Sequence, residues 1–261
     1  MKKRIGMIEK VDLTRVDGPI ELRVITDVHA GAEAFHKKEY ERDVAWALEK
    51  DNRFIITTGD LCETVTRNSV GNPEDRKMKI MDQMRYIVGS LTDVANEGKL
   101  LGMLGGNHED RTKRDSFVDI TALMAQQLGV KYFEDEMLMR LIISNITDKT
   151  KSWRYDLHAI HGAGGGATMG GQLNGARRGS GVYPMGDVFV SGHTHGYLGG
   201  KDSFYETTTT GAIIQRERLY VVCGTYLGKE GYATRRGYSP SIIGSPVIIF
   251  NNVEHDMKLV L

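Results

Sequence analysis

The sequence predicts an α/β protein, and two observations carry that expectation. Short apolar runs bounded by Gly, Asp and Asn alternate with longer stretches in which apolar residues recur at three-four spacing, the order of strands joined by crossover helices. Beyond Val130 the apolar runs succeed one another with few helical patterns between them, so the second half reads as β-rich.

Taken in order, "IELRVIT" (20–26) reads as a strand, followed by a polar loop and a helix near "KEYERDVAWALEK", where Tyr40, Val44, Ala47 and Leu48 share one face. "RFIITT" is the next strand. A longer helix is predicted from about Pro73 to Val94, because Ile80, Met84, Ile87, Val88 and Leu91 keep the spacing and Pro73 suits a first helical turn. Its methionines read as core packing. "KLLGMLGG" (99–106) is a buried strand, and "SFVDITALMAQQLG" a helix with Ser116 as its cap and Gly129 as its stop. "EMLMRLIIS", "WRYDLHAI", "DVFVS", "RLYVVCG" and "SPVIIF" read as strands. The segment "GAGGGATMGGQLNGARRGSG" (162–181) is too rich in glycine for a regular element and reads as a long excursion from a single domain spanning 1–261.

Bulk properties exclude several classes. The 261 residues are enough to bury a sizeable core, and 40% hydrophobic with 26% charged residues argues against a disordered or fibrous chain. Basic and acidic residues balance at 34 each, so the global field of a general nucleic-acid binder is absent. Cys62 and Cys223 form neither a disulfide framework nor a zinc spacing, which fits a reducing, intracellular setting. No stretch approaches the roughly 18 apolar residues of a membrane span. The expectation is a soluble, cytoplasmic chain with no membrane partner.

The chemistry lies just past the end of each strand. "RVIT" leads into Asp27 and His29, "FIITT" into Gly59-Asp60, "GMLG" into Asn107-His108-Glu109, "LHAI" into His161, and "VFVS" into His193 and His195. In α/β sheets the crevice beyond the carboxyl ends of strands is where ligands bind, so residues distant in sequence converge there. Two carboxylates, an amide oxygen and several imidazoles suit borderline divalent ions, manganese foremost, with iron, zinc, cobalt or nickel as alternatives. Seven such ligands exceed one tetrahedral site and suit two ions sharing a carboxylate.

The ordered series D-x-H, G-D, G-N-H-E, H-G and G-H-x-H resembles the calcineurin-like metallophosphoesterase superfamily, over residues 27 to 195. That resemblance implies a four-layer α/β/β/α sandwich with two central mixed sheets. It assigns Asp27, His29 and His195 to one metal, and Asn107, His161 and His193 to the other, with Asp60 bridging. His108 would stay off the metals and act on the substrate, and metal-bound hydroxide would attack phosphorus in line. The implied substrates are phosphoesters; basic residues among tyrosines and the absence of the protein-phosphatase arginine slightly favour phosphodiesters of a nucleotide or nucleic acid over monoesters.

Each residue also has a plainer reading. Isolated Asp and Asn are commonly turn residues and a lone His is commonly structural, yet five of the eight histidines fall inside these motifs. His36, His158 and His255 keep the plain reading, with no partner nearby for His36 or His255. Many members of the superfamily have a second aspartate where this chain has Glu63; its longer side chain could orient His108, or be solvated. "GDLCETV" lacks the arginine typical of protein serine/threonine phosphatases, which lowers the expectation of a phosphoprotein substrate. Arg111 is a candidate phosphate clamp or a surface charge. Arg177, Arg178, Arg235 and Arg236 are candidates for substrate contact or solvated loop charges. A repair-type nuclease would need room for a DNA-recognition region, and only about 66 residues follow His195. A non-catalytic interaction scaffold would be expected to have lost ligands, whereas all seven and His108 are present.

Overall fold

A computed structural model describes residues 7–65, 78–164, 166, 168–229 and 240–261. In chain order the elements are β1 (Glu9–Leu13), β2 (Ile20–Ile25), α1 (Lys37–Ala45) running into a 3-10 turn (Trp46–Glu49), β3 (Arg53–Thr58), α2 (Ile80–Asn96), β4 (Leu100–Leu104), α3 (Asn107–Ser116), α4 (Ile120–Leu128), β5 (Tyr132–Phe133), β6 (Met137–Ser144), β7 (Ser152–Ile160), α5 (Met169–Val182), β8 (Val188–Ser191), β9 (Tyr197–Thr207), β10 (Ile213–Cys223), β11 (Val247–Phe250) and β12 (Met257–Val260).

The strands form two mixed six-stranded sheets, ordered β1-β6-β7-β8-β10-β9 and β12-β11-β2-β3-β4-β5. Alternation along each strand decides which layer a side chain joins. Leu22, Val24, Phe54 and Ile56 of one sheet meet Leu141, Leu157, Val190 and Val221 of the other in the central core. The opposite-facing Ile25, Ile55 and Met103 pack under α1, α2 and α4 through Tyr40, Val44, Ile87, Leu91 and Met124. On the outer face of the β1-β6-β7-β8-β10-β9 sheet, Leu173 and Ala176 of α5 cover Phe189, Tyr220 and Val222. The result is the four-layer α/β/β/α sandwich with two mixed sheets that the motif resemblance implies. Among the described residues no helix is long and apolar enough to cross a membrane.

Several local expectations change. Helix α2 begins at Ile80, and Pro73 lies outside the described residues. Ser116 ends α3 instead of capping the next helix: Phe117 turns left-handed (φ 58°), and Asp119 caps α4 by accepting the Ala122 N–H at 2.9 Å. Gly129 does stop α4, with φ 68°.

The glycine-rich segment is largely helix, because α5 occupies 169–182. Thr168 Oγ1 caps it by accepting the Gly171 N–H at 3.2 Å. Gly179 lets the helix lie directly on β7 and β8; a Cβ there would stand 2.5 Å from His158 Nδ1 and 2.8 Å from the Phe189 ring. Arg177 accordingly faces Asp202 at 3.6 Å across Tyr220, as part of this packing. His255 is also partnered: it stacks on Tyr155 at 4.4 Å and places Nε2 3.0 Å from the Arg154 carbonyl. His36 lies 3.6 Å from Glu39.

Candidate metal centre

Three strand ends of one sheet and two of the other open onto the same crevice. Asp27 and His29 follow β2, Asp60 follows β3, and Asn107 and His108 open α3 after β4. His161 follows β7, and His193 and His195 follow β8. Turning so sharply at a strand end requires unusual backbone. Asp27, His29, Asp60, His193 and His195 all have left-handed φ, between 50° and 64°. Such strain is costly for residues with a Cβ and clusters where surrounding contacts enforce a functional geometry.

Each carboxylate is anchored by one oxygen and presents the other. Asp27 Oδ2 accepts the Thr26 hydroxyl at 2.8 Å and the His193 N–H at 2.9 Å, leaving Oδ1 facing His195 Nε2 at 3.2 Å. Asp60 Oδ1 accepts the His108 N–H at 2.8 Å, while Oδ2 faces His161 Nε2 at 3.1 Å and His29 Nε2 at 4.0 Å. Asn107 Oδ1 lies 2.8 Å from both His161 Nε2 and His193 Nδ1. His161 Nδ1 donates to the Thr58 carbonyl at 2.8 Å, which fixes the tautomer and turns Nε2 into the crevice.

Donor atoms gather in overlapping groups, each within 4.8 Å: Asp27, His29 and His195; Asp60, His161 and His193; and His29, Asp60 and His108. Two buried atoms at this point, Asp27 Oδ1 and His29 Nε2, make no hydrogen bond. Leaving such atoms unpaired is expensive, and a cation between them would satisfy both. The donor set and these orphaned atoms therefore fit divalent metal ions. His193 stands in one group and His195 in another, so the two-residue spacing of "HTH" serves both.

Charge in the crevice is held in balance by proximity. Burial pushes the Asp27 and Asp60 carboxyls up, but His195 beside Asp27, and His161 and His108 beside Asp60, hold both below the usual range. Burial opposes charge on His29 and His161; Glu63 nonetheless lifts His29 to about 9, and Asp60 lifts His161 to about 10. His108 goes the other way, to about 4, because burial outweighs the pull of Asp60, with the His29 and Arg111 charges adding to it. Its hydrogen bonds agree with neutrality. Nδ1 donates to the Glu63 carbonyl at 2.8 Å, and Nε2 accepts from Arg111 Nη2 at 2.9 Å.

The Glu63 carboxylate is not primarily on His108. It lies 2.7 Å from His29 Nδ1 and 3.5 Å from His108 Nδ1. Arg111, one turn along α3, is in contact with the crevice through His108, whereas Arg177 is tied into α5 packing and Arg235 and Arg236 lie outside the described residues.

Two residues have supporting roles that sequence reading does not assign. Buried Glu109 accepts the N–H groups of Asp60 (2.9 Å), Gly106 (3.2 Å) and Cys62 (2.8 Å), locking the Asp60 turn to the start of α3. Burial and the Asp60 charge raise its carboxyl to about 7. Its only signal is the final letter of "GNHE". Gln172 of α5 donates to the Thr194 carbonyl at 3.3 Å, bracing the loop between His193 and His195, and it is hidden inside the segment read as irregular. Two surface cavities, of about 660 and 400 Å³, lie at the other end of the strands and are lined by none of these residues.

No family model and no curated protein matches the chain. Among solved structures, Vps29 from Chaetomium thermophilum is similar with TM-score 0.38 and 8% identity, covering 92% of this chain and 94% of that one. The nuclease MPE from Pseudomonas putida is similar with TM-score 0.34 and 12% identity, covering 92% of this chain and 87% of that one. Likenesses at these scores carry no argument about function.

Proposed function

We propose that the chain is a two-metal phosphoester hydrolase of the calcineurin-like metallophosphoesterase kind, acting on phosphodiesters of a nucleotide or nucleic acid ahead of monoesters. The observation that carries this reading is the group Asp27, His29 and His195 lying beside the group Asp60, His161 and His193, with His29 Nε2 4.0 Å from Asp60 Oδ2 and with Asp27 Oδ1 and His29 Nε2 buried without a hydrogen bond. Asp27, His29 and His195 would hold one ion, and Asn107, His161 and His193 the other, with Asp60 shared. Divalent ions, manganese foremost, supply Lewis acidity and activate water near neutral pH when bound.

The protein's own groups then position the ester. Arg111 directs a guanidinium at the crevice beside His108, which suits one phosphoryl oxygen. The segment "GDLCETV" lacks the arginine typical of protein serine/threonine phosphatases, which supports a diester ahead of a phosphoprotein monoester. When a phosphoryl oxygen takes over the Arg111 contact, His108 Nε2 is released to face the ester, held in plane by its Nδ1 bond to Glu63.

The test is hydrolysis of bis-p-nitrophenyl phosphate and p-nitrophenyl phosphate by metal-free protein reconstituted with manganese, iron, zinc, cobalt or nickel. Turnover of the diester above the monoester, with two ions per chain by mass spectrometry, is expected. Absence of turnover with every metal would remove the reading. A panel of cyclic nucleotides, dinucleotides and oligonucleotides then narrows the substrate, and salt-sensitive DNA cleavage would point to a nuclease.

A further inference from the structure

We propose that Glu63 is the positioning residue for His29, acting through its carboxylate, while it holds the His108 ring only through its main-chain carbonyl. The proposal rests on the two-metal reading and goes beyond it by separating ion retention from the action of His108 at one residue.

The distances make the division. Glu63 Oε2 is 2.7 Å from His29 Nδ1, a hydrogen bond, but 3.5 Å from His108 Nδ1, which is instead 2.8 Å from the Glu63 carbonyl oxygen. With Nδ1 given to the carboxylate, His29 Nε2 is turned between Asp27 Oδ1 at 3.9 Å and Asp60 Oδ2 at 4.0 Å, where it has no hydrogen bond. A carboxylate on the far nitrogen of a ligating imidazole fixes its tautomer and raises its basicity; removing such a partner typically lowers metal affinity 10–100-fold.

The carbonyl does not depend on the side chain. The Glu63 N–H donates to the Ala30 carbonyl at 3.1 Å. Next in sequence, Thr64 is left-handed (φ 43°), donates its N–H to Gln83 Oε1 at 3.2 Å and its hydroxyl to the His108 carbonyl. The backbone carrying the Glu63 carbonyl is thus pinned from both sides by other residues. Truncating the side chain should release His29 and leave His108 in place.

The experiment titrates manganese into metal-free wild type, Glu63→Ala, Glu63→Gln and His108→Ala by calorimetry, with ion counts by mass spectrometry and melting temperatures of the metal-free proteins. Wild type should take two ions. Glu63→Ala should bind one of them 10–100-fold more weakly, with diester turnover restored by excess manganese. Glu63→Gln, nearly isosteric and still able to accept from Nδ1, should fall between and serves if the alanine variant does not fold. His108→Ala should keep both ions and lose turnover that manganese does not restore. Wild type with two ions and Glu63 variants with the same two affinities would overturn this proposal alone. Wild type binding no ion would overturn the two-metal reading and this proposal with it.

Discussion

Two imidazoles of the crevice, His29 and His161, favour their protonated form, and a cation bound there would have to displace those protons. His29 and His161 are raised to about 9 and about 10, mainly because Glu63 and Asp60 overcome the cost of burial. A raised histidine contributes stability that is complete below its unfolded value of about 6.5 and is lost as pH rises through the folded value. The metal-free protein should therefore lose stability between pH 7 and pH 10, read as a falling melting temperature. Metal ions bind neutral imidazole, so binding at pH 7 should release protons from these two residues. Calorimetry at pH 7 in two buffers of different ionisation enthalpy should give different apparent enthalpies; identical values would mean that both imidazoles are already neutral. At this scale the convergence of Asp27, His29, Asp60, Asn107, His161, His193 and His195 on one crevice was legible, because each sits just past an apolar run. Glu63 was half legible: an acid beside the site is visible in "GDLCE", but which histidine it serves depends on side-chain reach across folded backbone.

Helices separate what local pattern reveals from what only packing decides. In α2, Met84, Ile87, Leu91 and Val94 form a buried stripe that the spacing announces. Helix α5 has no such announcement, because Gly170, Gly171, Gly175, Gly179 and Gly181 each disfavour helix by about 1 kcal/mol relative to alanine. Its support is remote in sequence: the Thr168 cap, Phe189 and Tyr220 beneath it, and Gln172 on the Thr194 carbonyl. Two glycines in one helix should respond oppositely to the same change. Gly175 has nothing within 4 Å of a built Cβ, so Gly175→Ala should stabilise by about 0.5–1 kcal/mol. At Gly179 the new methyl would press on His158 and Phe189, so Gly179→Ala should cost about 1–3 kcal/mol. Urea midpoints of the two variants measure this; equal shifts would mean that α5 does not bear on β7 and β8 as described.

Across the whole molecule the two ends of the sandwich have different duties. The carboxyl ends of β2, β3, β4, β7 and β8 hold the crevice, and at the opposite end, beside the two surface cavities, hydrogen bonds close one sheet onto the other. The inner strands were legible as apolar runs, whereas β1, β9 and β12, at three sheet edges, were not. Their sequences, such as "EKVDL" and "YLGGKDSFYET", mix charge and glycine, as suits edges exposed to solvent, and their pairing is set by neighbours far along the chain. Tyr155 marks the closed end. It is fully buried in β7, and its hydroxyl donates to the Asn251 carbonyl at 2.6 Å and accepts the Asp256 N–H at 3.2 Å, binding the β11–β12 turn of the facing sheet. Six residues of extended chain separate it from His161, about 20 Å. Tyr155→Phe keeps the ring that packs on Phe250 and His255 but leaves the Asn251 carbonyl without its hydroxyl partner, while the Asp256 N–H keeps the Glu254 carbonyl at 3.0 Å, a loss of about 1–3 kcal/mol. Its urea midpoint should fall with unchanged slope, while manganese stoichiometry and affinity stay at wild-type values. A variant that lost an ion as well as stability would show that closure of the far end is transmitted along β7 to His161, and that the two ends are one device instead of two.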